Sequence, residues 1–329
     1  MNSNNALEQL KQYTIIVADT GDIEAIKKYM PQDATTNPSL ILKAAKMPEY
    51  QLLFDDAVQY GLRKGNNPEQ QVSLALDKLF VNFGVEILKI IPGRVSTEVD
   101  ARYSFDSDRT ILKAKSLIKL YEEAGYKKDR VLIKIAATAE GVAAVSELEK
   151  QGIHTNSTLL FSYVQAIAVA KAGGTLISPF VGRIMDWYKK HEQKAVDYVY
   201  PGEEDPGVLS VKKIYNLFKK HGYKTEIMGA SFRNSGEILA LAGCDLLTIG
   251  PNFLEELKEM DREVPRILSP ETAAVQCDLE NMDFSIERFR WEMNQDAMAT
   301  EKLAEGIRSF YKDAKTLEGM IRHKMFPDS

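Results

Sequence analysis

Residues 121–138 read YEEAGYKKDRVLIKIAAT, the pattern of a helix end followed by a buried strand. The preceding residues 109–124 place apolar side chains on one helical stripe, and Gly125 suits the left-handed turn that closes a helix. VLIKI at 131–135 is almost wholly apolar, as in a strand buried on both faces of a parallel sheet. The stretch therefore predicts one α-to-β unit.

The same arrangement recurs along the chain. Four more helical patterns end in glycine just before a strand-like run, at Gly152, Gly173, Gly222 and Gly243. Several of these strands begin about 22 residues apart, which is the spacing of β-α units in a parallel sheet. Three earlier runs also have strand character: TIIVAD at 14–19, DATTN at 33–37 and RVSTEVD at 94–100. Together the runs predict eight strands.

Eight strands alternating with helices over about 250 residues are what a (β/α)8 barrel requires, and a doubly wound open sheet is the alternative. We favour the barrel, because no Gly-rich dinucleotide loop follows the first strand. The predicted fold is therefore α/β, a single (β/α)8 barrel domain of parallel strands over residues 1–329. Two or three extra helices are predicted within residues 40–93, between strands 2 and 3, and residues 191–207 form a long polar insertion.

A long amphipathic helix is predicted after strand 8. Its apolar side chains recur at helical spacing at Leu303, Ile307, Phe310, Ala314, Leu317 and Ile321. We expect residues 284–329 to form a C-terminal helical extension that packs on the barrel wall, in preference to a helix that binds a partner.

The composition excludes several classes of partner. With 42 Lys and Arg against 47 Asp and Glu, the formal net charge is -5, so no broad basic field exists to attract nucleic acid or a membrane surface. Cys244 and Cys277 have no paired spacing, which fits a reducing cytosol better than a disulfide framework. The first residues lack the apolar core of a signal peptide, and no run of about 18 apolar residues occurs. We therefore expect a cytoplasmic protein that binds small molecules.

Polar residues follow the predicted strands. In a (β/α)8 barrel the active site lies at the carboxyl ends of the strands, so functional side chains should gather there. Polar residues stand late in or just beyond the first seven strands: Asp19, Asn37, Glu98 with Asp100, Lys134, Asn156 with Thr158, Ser178, and Ser231 with Arg233. Taken singly, Asp19, Asn37 and Ser178 could be turn or N-cap residues. A ring of them instead predicts a binding site in the barrel mouth.

Lys134 is the charged residue of the VLIKI strand, and its alternative interpretation is a snorkelling or salt-bridged lysine. Inside a barrel, loss of water disfavours the ammonium form, so a neutral amine becomes available to attack a carbonyl group. The protonated Schiff base that results can take up electrons while a neighbouring carbon-carbon bond breaks or forms. Acid-base groups must move the protons, and Asp19 and Glu98 are the candidates.

Other chemistries have less support. The histidines, at 154, 191, 221 and 323, lack the spacing of metal ligands, and no P-loop, G-x-S-x-G or C-x-x-C motif occurs. We therefore expect neither a metal nor a cofactor.

Five stretches of the chain resemble the transaldolases of the larger, bacterial and eukaryotic subfamily. The stretches are DATTNPSLI at 33–41, VLIKIAATAEG at 131–141, NSTLLFS at 156–162, ISPFVGRIMDWY at 177–188 and MGASFRN at 228–234. The resemblance extends from about Tyr13 to the C-terminal helix. It implies transfer of a dihydroxyacetone unit from sedoheptulose 7-phosphate to glyceraldehyde 3-phosphate, in the non-oxidative pentose phosphate pathway. It also implies a homodimer.

The resemblance gives each candidate residue a role. Lys134 corresponds to the Schiff-base lysine, and Asp19 to the carboxylate that handles the hydroxyl proton during carbon-carbon cleavage. Glu98 and Thr158 correspond to the pair that holds and activates water for imine formation. The substrate-binding residues fall into two groups, those that position the three-carbon unit and those that bind phosphate: Asn37, Asn156 and Ser178; and Arg183, Ser231 and Arg233.

The chain departs from the family at two positions, where Ala139 replaces an aromatic residue and Ser157 replaces a larger apolar one. Neither change removes a candidate catalytic group. Two alternatives to transaldolase remain at this stage. One is a lysine aldolase that releases a free three-carbon ketone, and the other is a non-catalytic barrel that binds sugar phosphates.

Overall fold

The computed structural model describes residues 5–277 and 283–327. Its centre is a closed barrel of eight parallel strands that follow one another in chain order. The strands are β1 Ile15–Asp19, β2 Asp33–Thr35, β3 Val95–Glu98, β4 Val131–Ala136, β5 Thr155–Leu160, β6 Leu176–Pro179, β7 Glu226–Gly229 and β8 Leu246–Ile249. Hydrogen bonds join β1 to both β2 and β8, which closes the barrel. Each strand overlaps a predicted one, so the predicted (β/α)8 barrel is confirmed.

Helices surround the barrel. The α-helices are α1 Ala6–Leu10, α2 Ile23–Tyr29, α3 Pro38–Ala44, α4 Gln51–Lys64, α5 Pro68–Leu88, α6 Ser107–Glu123, α7 Ala139–Lys150, α8 Tyr163–Lys171, α9 Val181–His191, α10 Pro206–His221, α11 Ser235–Leu239, α12 Pro251–Glu259, α13 Pro270–Gln276, α14 Ile286–Gln295 and α15 Ala297–Met325. Short 3-10 helices lie at Pro48–Tyr50, Ala101–Tyr103 and Lys128–Arg130. In the described part of the chain, no helix is both long enough and apolar enough to cross a membrane.

The local signals of the sequence explain these elements. The five glycines predicted to close helices have φ between 66° and 99°, a left-handed conformation that costs glycine little: Gly125, Gly152, Gly173, Gly222 and Gly243. The extra helices predicted between strands 2 and 3 are α3, α4 and α5, and the polar insertion separates α9 from α10.

The barrel interior has an apolar layer beneath a polar one. The apolar layer consists of one buried side chain from each of five strands: Val17, Leu132, Leu176, Met228 and Leu246. Side chains two residues further along each strand face the same interior, because strand side chains alternate between faces. At those positions β1, β4, β6 and β8 carry Asp19, Lys134, Ser178 and Thr248. The apolar layer therefore closes the barrel below, and the polar layer is left at the mouth.

Helix α15 packs on the barrel along its carboxyl-end rim as well as on the outer helices. Gly306 lies against Leu159 of β5, and the Phe310 ring lies under the guanidinium of Arg183. Further along α15, Glu318 forms an ion pair with Arg102, which follows β3. The predicted extension 284–329 is described as far as residue 327. These contacts place α15 beside the mouth of the barrel, whereas the sequence predicted packing on the barrel wall alone.

Candidate active site

Three polar side chains lie side by side on neighbouring strands. In the barrel register Glu98 of β3 is paired with Lys134 of β4, and Lys134 is paired with Asn156 of β5. These residues are buried, with exposed fractions of 6%, 4% and 0%. The strand alignment brings the predicted lysine and one predicted carboxyl group together without any loop.

Lys134 has few polar partners. Its Nζ atom donates one hydrogen bond of 3.4 Å to the carbonyl oxygen of Thr36 and lies 3.9 Å from Oε2 of Glu98. An ammonium group has three protons to donate, and buried donors without partners are costly. Most of the hydrogen-bonding capacity of this amine is therefore left for a bound ligand.

Glu98 has an unusual protonation equilibrium. Burial raises the pKa of Glu98 to about 7, although the positive charges of Lys134 and Arg183 oppose the shift. Its Oε2 atom is buried and receives no hydrogen bond from the described residues. A carboxyl group of this kind can gain or lose a proton near neutral pH, which suits general acid-base chemistry.

Asp19 ends β1 on the same interior face. It accepts a hydrogen bond of 3.0 Å from Oγ1 of Thr35, and Thr35 also contacts Oγ1 of Thr248 at 2.9 Å. Loss of water around its carboxyl group raises the pKa of Asp19, and the charge of Lys134 and the hydrogen bond from Thr35 oppose this shift. Asp19 keeps some solvent exposure at the mouth. It can thus exchange a proton with a bound substrate.

A chain of hydrogen bonds fixes the amide of Asn156. Its Nδ2 donates to Oγ of Ser96 at 3.0 Å, and its Oδ1 accepts from Oγ of Ser178 at 2.6 Å. Thr158 lies two residues further along β5 and is completely buried, and its Oγ1 has no partner among the described residues. The free Thr158 oxygen and the free Glu98 oxygen occur on the two strands that flank Lys134. Both are available for a ligand or a water molecule.

Asn37 has the capping role considered as its alternative. Its Oδ1 accepts a hydrogen bond of 2.9 Å from the backbone N–H of Leu40 and so caps α3. The cap occupies the oxygen only, and the side-chain nitrogen remains a donor. Asp100, the other acidic strand-end residue, pairs with Arg102 after β3 and caps a 3-10 helix.

Two arginines and a serine gather at the ends of β6 and β7. Arg183 lies in the first turn of α9, 4.9 Å from the ring centre of Phe180. Burial and the nearby positive charge of Arg233 lower the pKa of Arg183. Arg233 forms an ion pair of 2.8 Å with Asp186 and also donates to Oγ of Ser231 at 3.4 Å. Two adjacent guanidinium groups are a suitable setting for a phosphate.

The backbone allows the start of α9 and the loop after β7 to lie close together. Ser231 has a φ of 63°, and a side chain at Gly182 would lie 2.5 Å from the carbonyl oxygen of Ser231. Glycine at 182 therefore lets the start of α9, with Arg183, lie directly against the loop after β7.

Sequence reasoning missed three residues of the polar layer, namely Thr248 of β8 and also Thr35 and Ser96. Thr35 contacts Asp19, and Ser96 contacts Asn156. Both stand two residues before a predicted site residue, at Asn37 and Glu98. The period of two in strands was the signal that could have found them.

A closed parallel barrel with a buried lysine, two carboxyl groups and an arginine pair at its mouth is typical of enzymes that act on phosphorylated carbonyl compounds through a Schiff base. The family model described as transaldolase/fructose-6-phosphate aldolase matches residues 16–321. A protein of Shewanella amazonensis named transaldolase is 59% identical over 321 residues, covering 98% of this chain and 99% of its own length. One from Bos taurus with the same name is 58% identical over 323 residues, covering 98% and 95%. The chain belongs to the transaldolase family.

Proposed function

We propose that the protein is a transferase that moves a dihydroxyacetone unit from sedoheptulose 7-phosphate to glyceraldehyde 3-phosphate. The products are erythrose 4-phosphate and fructose 6-phosphate, as in the non-oxidative pentose phosphate pathway. Family membership supports the reaction. The observation that carries the mechanism is the buried Lys134, paired in register with Glu98 and within reach of its carboxyl group.

In the proposed reaction the neutral amine of Lys134 attacks the ketose carbonyl carbon. The carbinolamine loses its hydroxyl group as water when Glu98, through a water molecule held with Thr158, supplies the proton. Asp19 then accepts the proton of the substrate hydroxyl, and the adjacent carbon-carbon bond breaks. The electron pair of that bond enters the protonated imine and gives an enamine on Lys134. The same steps in reverse join the enamine to the aldehyde acceptor.

The remaining residues are proposed to hold the substrate. Asn156 and Ser178 form a fixed hydrogen-bonding surface beside Lys134, and the side-chain nitrogen of Asn37 can donate a hydrogen bond to the substrate. Arg183, Ser231 and Arg233 are proposed to bind the phosphate group. Binding at both ends of the sugar would orient its carbonyl carbon toward the amine.

Borohydride trapping tests the proposed nucleophile. The protein is incubated with fructose 6-phosphate, reduced, digested and analysed by mass spectrometry. We expect a three-carbon adduct on Lys134. Lys212 is the internal control, because burial lowers the pKa of Lys212 although it lies on α10, away from the polar layer. An adduct on Lys212 alone, or none, would contradict the mechanism.

The second candidate function is an aldolase that releases the three-carbon ketone to water. The description of the matching family includes fructose-6-phosphate aldolase beside transaldolase. Assays of fructose 6-phosphate cleavage with and without an aldehyde acceptor separate the two. Transfer requires the acceptor, and substantial free dihydroxyacetone without it would favour release. A barrel that binds sugar phosphate and gives neither product nor adduct would be non-catalytic.

The single domain, the homodimer and the cytoplasmic location are also proposals. The resemblance to the larger transaldolases supports the homodimer, and the two cysteines of the sequence, at 244 and 277, lack the paired spacing of a disulfide framework, which fits a reducing compartment. Analytical ultracentrifugation tests the oligomeric state, with a single species at twice the mass of 37.0 kDa as the expected result.

A further inference from the structure

Two buried carboxyl groups lie beside the arginine pair and take no part in the proposed chemistry. Asp205 ends the polar insertion and caps α10, and Glu237 lies in α11. Each side chain belongs to a residue that is 1% exposed. Acidic residues are rarely buried to this extent without a partner.

Glu237 is attached to the loop that bears Arg233. Its Oε2 accepts the backbone N–H of Arg233 at 2.6 Å, and Asn234 caps the same helix. Its Oε1 is buried and receives no hydrogen bond from N–H or O–H groups of the described residues. The side chain of Glu237 is instead within hydrogen-bonding contact of the Asp205 carboxyl group.

Asp205 is held firmly from the other side. Its Oδ1 accepts the backbone N–H groups of Gly207 and Val208 at 2.8 and 3.2 Å. A side chain at Gly202 would approach the carbonyl oxygen of Gly236 to 3.0 Å, so the insertion packs closely on α11. The two carboxyl groups therefore cannot move apart without disturbing either α10 or the Arg233 loop.

Two contacting carboxylates cannot both stay ionised in a buried site, and one proton between them turns the contact into a hydrogen bond. Burial raises the pKa of Glu237 to about 7, and burial also raises the pKa of Asp205. The other charged groups nearby are Arg233 with its partner Asp186 on α9, and Glu256 of α12, which accepts from Ser235. The backbone N–H and the charge of Arg233 oppose protonation of Glu237, as does the backbone N–H of Asn234, and the Arg233 guanidinium already pairs with Asp186.

We propose that Glu237 is a positioning residue for the phosphate site, and that it fixes the Arg233 loop through a proton shared with Asp205. The inference rests on the proposed function, because Arg233 is assigned to phosphate there. When the proton is lost at higher pH, the two negative charges repel and the hold on the backbone of Arg233 loosens. The affinity for phosphorylated substrates then falls, and turnover at saturation is unaffected.

Steady-state kinetics with fructose 6-phosphate from about pH 6 to about pH 9 test this proposal. In the wild type we expect KM to rise as pH passes through about 7, the pKa of Glu237. In Glu237→Gln the amide oxygen can accept from Arg233 and the NH2 group can donate to Asp205, so this rise should disappear. Glu256→Gln, which removes a nearby exposed carboxylate, should keep it. If KM rose with pH in Glu237→Gln as it does in the wild type, the proposal would be overturned.

A second variant tests the hydrogen bond itself. Glu237→Leu removes the acceptor of the Arg233 N–H, and KM for fructose 6-phosphate should rise about tenfold. The kinetic constants for dihydroxyacetone as an unphosphorylated donor should change little. An equal loss with both donors would show a general structural effect and contradict the specific role.

Infrared difference spectroscopy makes the test independent of activity. The carbonyl stretch of a protonated, buried carboxyl group should be present in the wild type below about pH 7 and absent from Glu237→Gln and Asp205→Asn. If the wild type catalysed no transfer but showed this band, the proposed function would be wrong and the shared proton would stand. If the band persisted unchanged in both variants, only the shared proton would be wrong.

Discussion

Nζ of Lys134 lies 3.9 Å from Oε2 of Glu98, and the two residues are register partners on adjacent strands. The Glu98 oxygen has no hydrogen bond among the described residues, so the charge of Lys134 is the main influence that opposes protonation of Glu98. The charge of Lys134 therefore influences the protonation of Glu98. A strand pairing, which is rigid, sets this distance.

Replacement of the lysine should change the carboxyl group as well as the activity. In Lys134→Met we expect turnover to fall by several orders of magnitude, and the pKa of Glu98 to rise above its value of about 7. Carbon-13 NMR of labelled glutamate carboxyl groups measures the second effect without any activity. Lys212→Met is the matched control and should leave both unchanged. A pKa of Glu98 that stays the same in Lys134→Met would contradict the coupling.

The pH dependence of turnover should report Glu98. In the proposed reaction Glu98 supplies a proton and so acts when it is protonated; burial raises its pKa to about 7, so kcat should decline as pH rises above about 7. Glu98→Gln should lower kcat by about 10²- to 10⁴-fold and abolish this decline of kcat at high pH. Glu237→Gln should keep the decline of kcat, since Glu237 acts on KM. A decline of kcat at high pH that survives in Glu98→Gln would assign it to another group.

Arg183 should discriminate between phosphorylated and unphosphorylated substrates. Arg183→Lys keeps the charge and loses the forked donor set, so we expect KM for fructose 6-phosphate to rise about 10- to 100-fold. The constants for unphosphorylated dihydroxyacetone should change little. Arg308→Lys, at an exposed position of α15, is the control. Equal effects on both donors would argue against a phosphate role for Arg183.

Most of the barrel could be predicted because its signals are local. Glycine at each helix end, apolar runs at regular intervals and polar residues at strand ends can all be recognised in the sequence. Lys134 and Glu98 were predicted as site residues in this way, and the strand register places them side by side. The helix cap formed by Asn37 was equally visible as an alternative.

Contacts between distant segments could not be predicted in the same way. The contact of Asp205 with Glu237 joins the end of an insertion to a short helix, and it depends on how closely those two segments pack. The stacking of Arg183 against Phe310 likewise depends on the path of α15 along the rim. Sequence periodicity identifies a helix and its apolar face, but not the part of the barrel on which that face lies.

Two glycines of α15 should respond oppositely to alanine. A Cβ atom at Gly319 would meet nothing within 4 Å, so Gly319→Ala should raise the free energy of unfolding by about 0.5–1 kcal/mol through helix propensity. A Cβ atom at Gly306 would lie 2.5 Å from Leu159 and 3.3 Å from the guanidinium of Arg183. Leu159 is 1% exposed and has little room to move, so Gly306→Ala should lower the free energy of unfolding by about 1–3 kcal/mol.

Gly306→Ala should also affect the phosphate site. Because Gly306 brings α15 close to Arg183, its replacement should displace the guanidinium and raise KM for fructose 6-phosphate, whereas Gly319→Ala should not. Urea denaturation and steady-state kinetics on the two variants measure both effects. If Gly306→Ala stabilised the protein as much as Gly319→Ala and left KM unchanged, the close packing of α15 on the rim would have no influence on the site.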